Sequence, residues 1–337
     1  MNHNKYILLI LLAYLFLSAC SITDNIRTFN IEILKPSVFS YPEDVDSIAV
    51  FKRDFFKSDT CKFIYTNDLS SIMESNIKYS DLSNTCTDAL ANYLNQQNYF
   101  KKVTNYRDSL NFMFLDNQTV KPSNELIRKT KADVCIFLDY FQLNNSFLNN
   151  DLNYLYTEAR LHWTIAFAKD SSAFIYNQID TLVFNEEENP EFRLTVKNRN
   201  QILINTANYL GEYLGSRLIP SWLKVERIYY KSNNANMLKA EKYALANDWL
   251  KAAEIWKNET ANKNSKIVAK ACFNMALACE MEGKLDLGID WLVKSYSCLK
   301  MDNIIHKENC QRYVKVLALR KKEIERLEKQ IRNPEMQ

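Results

Sequence analysis

Hydrophobic and polar residues alternate with the period of β-strands through much of the chain. Short apolar runs at 46–52 and 132–143 are typical of strands that are buried on both faces of a sheet. Two long segments, 154–168 and 173–184, alternate between apolar and polar residues. Because only residues 169–172 separate them, we expect these two segments to form a β-hairpin.

Helical periodicity occurs between these strands. The spacing of apolar residues predicts helices at 82–97, 123–130 and 200–218, with a short strand near Val103. The resulting order is strand, helix, strand, helix, strand, hairpin, helix. This order predicts a mixed α/β sandwich over residues 46–220, in which helices cover a mixed sheet.

The last third of the chain has purely helical periodicity. Apolar residues predict a helix–turn–helix unit over 269–296, and Gly283 lies at its turn, where a left-handed backbone is required. An earlier, degenerate copy has Asn247 in place of the turn glycine. A long helix at 303–331 follows, which we expect to cap the stack, with a short coiled coil as the alternative. Residues 221–337 are therefore predicted to form an all-α domain, and the fold class is α+β.

The clear copy resembles the tetratricopeptide repeat (TPR). The residues that carry the resemblance are Ala271, Met275, Ala276, Cys279, Gly283, Leu285, Gly288, Leu292 and Ser295. In TPR proteins the first helix of each repeat lines a concave surface. The resemblance thus implies a partner-binding surface made of Lys270, Phe273, Asn274, Leu277, Asn234, Leu238 and Glu241. An asparagine amide on such a surface can hold an extended peptide backbone. The alternative is that Phe273 and Leu277 pack against the capping helix.

The N-terminus has the pattern of an export signal. The uncharged, apolar stretch 6–17 would rise about 18 Å as a helix, less than the roughly 30 Å of a membrane's hydrocarbon core. It is followed by Leu-Ser-Ala-Cys at 17–20, which resembles the lipobox of bacterial lipoproteins. We therefore expect a signal peptide at 1–19, lipid on Cys20 and a lipidated tether at 20–45. The alternative is an ordinary signal peptide followed by a chance cysteine.

Composition and charge narrow the classes of function. The formal net charge is +3 and charges of both signs are interspersed, so no nucleic-acid-binding stripe is expected. None of the four glycines precedes Gly211, which excludes a glycine-rich phosphate loop. The eight cysteines include no C-x-x-C pair, and Cys135 is expected to be a buried free thiol.

Gly211 and Gly215 share a helix with charged residues, so their spacing predicts close packing on the sheet instead of a membrane dimer.

No residue pattern of a catalytic or metal site is found. His162 lies on the polar face of its predicted strand and is expected to be solvated or salt-bridged, and His306 is expected at the surface. The acidic run 186–191 lacks the alternating ligands and glycine of a calcium loop and predicts a solvated turn. We therefore expect no catalytic residue, no metal and no cofactor, although two distant carboxylates would escape such a search.

Longer resemblances extend over most of the chain. The motifs Pro220-Ser221-Trp222, Arg227-x-Tyr229-Tyr230 and Asp248-Trp249-x-x-Ala252-x-x-x-Trp256 resemble an uncharacterised family of TPR-containing outer-membrane lipoproteins of Gram-negative bacteria. Ser47-Ile48-Ala49-Val50 and Ala132-Asp133-Val134 are similar to strands of curli-secretion-channel-type lipoproteins. These resemblances imply a protein held in the outer membrane by lipid on Cys20, facing the periplasm or the surface.

The function predicted from these features is that of a protein-binding or assembly scaffold in the cell envelope. Its partners would be the membrane, through the lipid, and a protein or peptide at the helical domain. No enzymatic activity is expected. Two alternatives remain open: an envelope enzyme that acts on glycans through unrecognised carboxylates, and a subunit of a secretion assembly.

Overall fold

The computed structural model describes residues 26–53, 60–65, 72–106, 130–147, 154–169, 172–185, 196–299 and 303–331. The signal peptide, Cys20, the acidic run 186–191 and most of the helix predicted at 123–130 lie outside the described residues. The chain divides into two compact units. The sheet unit comprises Ser37–Ser221 with Gln330–Gln337, and the helical unit comprises Met1–Pro36 with Trp222–Lys329.

The described residues form the following elements, in chain order: β1 (Ile26–Lys35), β2 (Ser47–Lys52), β3 (Thr60–Tyr65), β4 (Ile72–Lys78), α1 (Tyr79–Gln96), β5 (Lys102–Asn105), β6 (Val134–Phe147), β7 (Tyr154–Phe167), β8 (Ala173–Asn185), α2 (Val196–Leu218), β9 (Ser221–Tyr230), α3 (Ala235–Leu245), α4 (Trp249–Glu259), α5 (Ser265–Met281), α6 (Leu285–Ser297) and α7 (Ile304–Leu327). The predicted α+β class is confirmed, because a sheet-rich part precedes a helical part.

The long strand β6 organises the sheet unit. Its first half pairs in parallel with β2, its last residues pair in parallel with β3, and its whole length pairs antiparallel with β7. β5 extends the sheet beside β2, β4 beside β3, and β8 beside β7. The apolar run at the start of β6 follows from this position, since Val134 to Leu138 are buried on both faces of the sheet.

Helices α1 and α2 pack tightly against each other in the sheet unit. A Cβ on Gly211 would lie 2.1 Å from the carbonyl oxygen of Cys86 in α1, and one on Gly215 would lie 2.5 Å from Cδ1 of Tyr93. The glycine pair therefore permits a close helix–helix contact. This corrects the expectation that these glycines pack on the sheet.

The helical unit contains two strands as well as helices. β1 and β9 pair as a two-stranded sheet, and Phe29 of β1 packs edge-on against Trp249 of α4, with 5.2 Å between ring centroids. Two expectations are corrected here. Residues 26–35 are a paired strand and not an irregular tether, and residues 221–230 of the predicted all-α domain form a strand.

Each of the helices α3 to α7 packs against the next one in the chain, and the series ends in the long α7. The turns after α3 and α5 contain Asn247 and Gly283, with φ of 61° and 69°. Both positions thus have the left-handed backbone that glycine and asparagine tolerate. Within the described ranges, no helix is both long and apolar enough to span a bilayer.

Candidate functional site

The predicted partner-binding side chains of α5 lie in the interior of the helical unit. Phe273, Asn274 and Leu277 are at most 1% exposed, and Lys270 is 7% exposed. Phe273 packs edge-on against Tyr230 of β9, with ring centroids 4.9 Å apart. The prediction that these side chains form an open concave surface is therefore wrong for Phe273, Asn274 and Leu277. The alternative, packing against the capping helix, is confirmed for Phe273, whose ring centroid lies 5.4 Å from that of Tyr313 in α7.

Asn274 holds an extended backbone, but it is the backbone of β9. Its Oδ1 accepts a hydrogen bond from the Tyr230 N–H at 2.8 Å, and its Nδ2 donates to the Tyr230 carbonyl at 2.8 Å. One turn earlier on α5, Lys270 Nζ donates to the Lys231 carbonyl at 3.0 Å. The predicted amide clamp thus exists, and it fastens the end of β9 to α5.

The predicted residues of the first hairpin have separate roles. Asn234 caps α3, where its Oδ1 accepts from the N–H groups of Asn236 and Met237 at 2.9 and 3.0 Å. Glu241 accepts a hydrogen bond from the Tyr229 hydroxyl at 2.8 Å. Leu238 is 40% exposed. Of these residues, Asn234 shares a site with Lys270.

That site is a polar cleft of about 420 Å³, which we call the amide cleft. It is lined by Ser232, Asn233, Asn234, Asn264, Lys266, Ile267 and Lys270. The cleft begins where the clamp on Tyr230 and Lys231 ends, as the chain turns from β9 into α3. Amide, hydroxyl and ammonium groups in a concave site can donate to backbone carbonyls and carboxylates, and the amides can also accept from N–H groups.

A buried carboxylate lies beside the amide cleft. Glu259 is 6% exposed and accepts hydrogen bonds from the side-chain amides of Asn234, Asn236 and Asn262, at 3.2, 2.6 and 2.7 Å. These bonds compensate the carboxylate for its burial. They also fix the orientation of Asn234 in the cleft wall.

A buried ion pair anchors the middle of β9. Arg227 donates to both oxygens of Glu280, with Nη2 to Oε1 at 2.7 Å and Nε to Oε2 at 2.9 Å. The Tyr313 hydroxyl donates to the same carboxylate at 2.6 Å. Burial lowers the pKa of Arg227, but the bonds with Glu280 outweigh burial and leave it above its ordinary value. This geometry has a structural role, because all the groups are mutually satisfied.

His306 is fully buried, which corrects its predicted surface position. Its Nε2 lies 3.1 Å from Ser295 Oγ and 3.5 Å from Cys310 Sγ. The signal was in the sequence: His306, Cys310, Tyr313 and Leu317 are spaced by four, three and four residues, and all four are buried on α7. Following this spacing from Leu317 toward the start of α7 would have predicted that His306 is buried.

The Cys310 side chain also lines an apolar groove of about 520 Å³ between α6 and α7. Burial raises the pKa of Cys310 to about 11 and lowers the pKa of His306 below its ordinary value. Near neutral pH the pair is therefore a thiol beside a neutral imidazole. A nucleophilic cysteine requires the opposite shift of the thiol pKa.

In the sheet unit, the buried Arg53 pairs with the half-buried Asp139 at an irregularity of β6. The β6–β7 register shifts between Leu138 and Tyr140, which re-aims Asp139. Arg53 Nε lies 2.9 Å from Asp139 Oδ1, and the guanidinium stacks over Phe137 at 4.2 Å. Burial raises the pKa of Asp139, although Arg53 opposes the shift. No residue pattern reveals a bulge, so this pair could not be predicted from the sequence.

His162 lies exposed on the same face of the sheet, as predicted, with its ring 5.0 Å from the Tyr140 ring. Among the residues that the structure describes, no cluster of three or more histidine, cysteine, aspartate or glutamate side chains could hold a metal ion. The seven cysteines in the described ranges are free, and Cys135 is buried as predicted.

Comparisons with known proteins identify domains whose functions are not assigned. Residues 45–230, more than half of the chain, match the domain of unknown function DUF8603, and residues 238–319 match the domain of unknown function DUF6340. No curated protein matches the chain. The first match ends at the last residue of β9, so it includes the strand that packs in the helical unit.

Two solved structures show a low overall similarity. A PelC dodecamer from Paraburkholderia phytofirmans is 7% identical with a TM-score of 0.26, and the alignment covers 57% of this chain and 99% of that one. A minor lipoprotein from Acinetobacter baumannii is 8% identical with a TM-score of 0.26, covering 55% and 98%. TM-scores this low carry no inference about function or assembly. The family match decides the classification: the chain belongs to the family of domain of unknown function DUF8603.

Proposed function

We propose that this protein is a lipid-anchored envelope protein that binds an extended, acidic segment of a partner protein in the amide cleft. The observation that carries the proposal is the cleft itself, which continues the path of the clamped β9 backbone. The lipobox-like sequence at 17–20 supports anchoring through Cys20. The proposal retains the scaffold role expected from the sequence and moves its binding surface from the interior of α5 to the cleft.

The chemistry of the cleft favours an extended segment. Asn233 and Lys266 are exposed, and both line the cleft beside the half-buried Ile267. An extended chain presents N–H and C=O groups that amide side chains can satisfy in pairs, as Asn274 does for Tyr230. The half-buried Ile267 offers one apolar contact between the polar ones.

The charge of the cleft favours an acidic segment. Its lining contains the ammonium groups of Lys266, which is exposed, and of Lys270, which is buried and donates to the Lys231 carbonyl. The carboxylate of Glu259 is already held by three amides, so it competes little for these ammonium groups. Rim charges of this kind contribute mainly to the association rate and to specificity.

The proposal assigns binding without catalysis. The Cys310 thiol and the His306 imidazole are both uncharged near neutral pH, and the Arg227–Glu280 pair is fully engaged with β9. These groups are accounted for by packing and by mutual hydrogen bonds.

The test is a fluorescence anisotropy titration of the full-length protein in detergent micelles with a labelled peptide of alternating glutamate and threonine. Lys266→Glu reverses a cleft charge, and Lys263→Glu reverses an exposed charge outside the cleft lining. We expect Lys266→Glu to weaken binding about tenfold and Lys263→Glu to change it less than about twofold. Equal effects of the two substitutions, or equal binding of a lysine–threonine peptide, would contradict the proposal.

A further inference from the structure

The strand β8 exposes large apolar side chains along one face. Ile175, Ile179 and Val183 are 60%, 71% and 52% exposed. They are spaced four residues apart, so all three lie on the same face of the sheet, and Gln178, 3% exposed, lies on the opposite face. Single exposed apolar side chains are common on protein surfaces, whereas a row of three on one strand is typical of an interaction site.

The outer edge of β8 offers backbone hydrogen-bonding groups at these same positions. Phe167 N–H donates to the Ser172 carbonyl at 2.8 Å, and the register continues as Ala166↔Ala173 and Ile165↔Phe174. Hydrogen-bonded and non-hydrogen-bonded pairs alternate in an antiparallel ladder. The even-numbered residues of β8 therefore bond to β7, and the odd-numbered residues direct their N–H and C=O groups outward.

This edge lacks the usual protection against pairing. Among the described strands, β8 pairs only with β7. Its thirteen residues include no lysine, arginine or proline, and Asp180 is the one charged residue. One outward-directed donor is already satisfied, because the Thr181 N–H donates to Asp180 Oδ1 at 2.9 Å. Long, uncharged edge strands are sites of association between chains.

We propose that β8 is a dimerisation strand, which pairs antiparallel with β8 of a second copy of this chain about a two-fold axis at Ile179. The sequence of β8 is chemically palindromic about its central residue, Ile179. Ile179 would face its own copy, Ile175 would face Val183, and Asn177 would face Thr181. A two-fold interface requires this self-complementarity.

The opposite face obeys the same symmetry. Phe174 would face Phe184, Tyr176 would face Leu182, and Gln178 would face Asp180, so the one carboxylate of the strand does not face its own copy. The outward-directed residues from Ile175 to Val183 would exchange about eight backbone hydrogen bonds, because the Thr181 N–H of each copy already donates to Asp180. Cross-strand apolar pairs of this kind add stability on both faces.

The register is tested by disulfide trapping in the full-length protein in intact cells, with a mild oxidant and a non-reducing gel. Ile179→Cys would place two thiols at a Cα separation of about 5.5 Å, within disulfide range. Thr181→Cys alone would place them about 14 Å apart, beyond that range. Asn177→Cys combined with Thr181→Cys would restore a facing pair.

We expect covalent dimers from Ile179→Cys and from the double variant, with at least about tenfold less from Thr181→Cys. In detergent, Ile179→Lys should weaken self-association about tenfold or more, because it places like charges opposite each other. Leu319→Lys, at a 57% exposed position of α7, should leave it unchanged. Equal trapping of Ile179→Cys and Thr181→Cys, or a dimer that Ile179→Lys leaves intact, would overturn the proposal.

Discussion

At the scale of single residues, Asn274 links an amide side chain to the path of the main chain. It satisfies both the N–H and the C=O of Tyr230 while it is 1% exposed. Asn274→Ala would leave two buried backbone groups unpaired, so we expect it to lower the free energy of unfolding by about 2–4 kcal/mol. Urea unfolding followed by circular dichroism measures this. Asn233→Ala, at an exposed position, should change it by less than about 0.5 kcal/mol, and equal losses would contradict the clamp.

The buried His306 is expected to make the stability of the protein depend on pH. Burial first, and then the nearby Lys307 and Lys270, lower its pKa below the ordinary 6.5. Below pH 6.5 the unfolded chain therefore takes up a proton that the folded chain does not. Stability should fall as the pH falls from about 6.5 toward the lower folded pKa, and should be independent of this group above 6.5.

The measurement is the urea midpoint of the wild type and of His306→Gln from pH 7.5 to 5. We expect the difference between the two proteins to narrow as the pH falls, because only the wild type has a buried imidazole to protonate. A difference that stays constant across this range would show that His306 titrates normally in the folded protein.

The sequence predicted that the Asn274 amide binds an extended backbone, but it did not predict which backbone. The repeat-like spacing placed Asn274 on a helix face that can hold an extended backbone. That the backbone belongs to Tyr230, 44 positions away, depends on a tertiary contact that has no local pattern. His306 was misplaced for a related reason, since polar neighbours concealed its place in the buried stripe of α7.

At the scale of elements, the α1–α2 contact depends on the absence of a single side chain. An alanine Cβ at Gly211 would meet the Cys86 carbonyl at 2.1 Å, and backbone cannot move aside as a flexible side chain can. We expect Gly211→Ala to lower the free energy of unfolding by at least about 2 kcal/mol, although alanine has the higher helix propensity.

The matched control is Glu212→Ala at the next, exposed position of α2. It should change the stability by less than about 0.5 kcal/mol. Thermal unfolding of both variants measures the difference, and a Gly211→Ala protein as stable as the control would mean that the two helices are not in close contact.

The strands that were predicted have long, regular alternation of apolar and polar residues, and the strands that were missed do not. β6, β7 and β8 carry long, regular patterns, and the structure contains them close to the predicted bounds. β9 was missed because its exposed and half-buried positions do not alternate cleanly, and its partner β1 lies near the other end of the chain. β3 and β4 were missed as well, because strands of six and seven residues are too short to show a clear alternation.

At the scale of the whole molecule, the anchor at Cys20 can be tested apart from the binding site. Cys20→Ala should abolish labelling by metabolically supplied palmitate and leave the protein uncleaved or soluble, because the thiol that receives the lipid is gone. Phase partitioning in detergent measures the outcome. Palmitate that is still incorporated by the variant would refute lipidation at Cys20.

The central claim is that a partner segment occupies the amide cleft in the cell. The most direct measurement is site-specific photo-crosslinking, with a benzophenone amino acid at Ile267 in the cleft and, as a control, at the 64% exposed Leu250 of α4. The account predicts a discrete protein adduct at position 267 that Lys266→Glu abolishes, and no such adduct at position 250. The absence of an adduct at 267, or the same adduct at both positions, would contradict it.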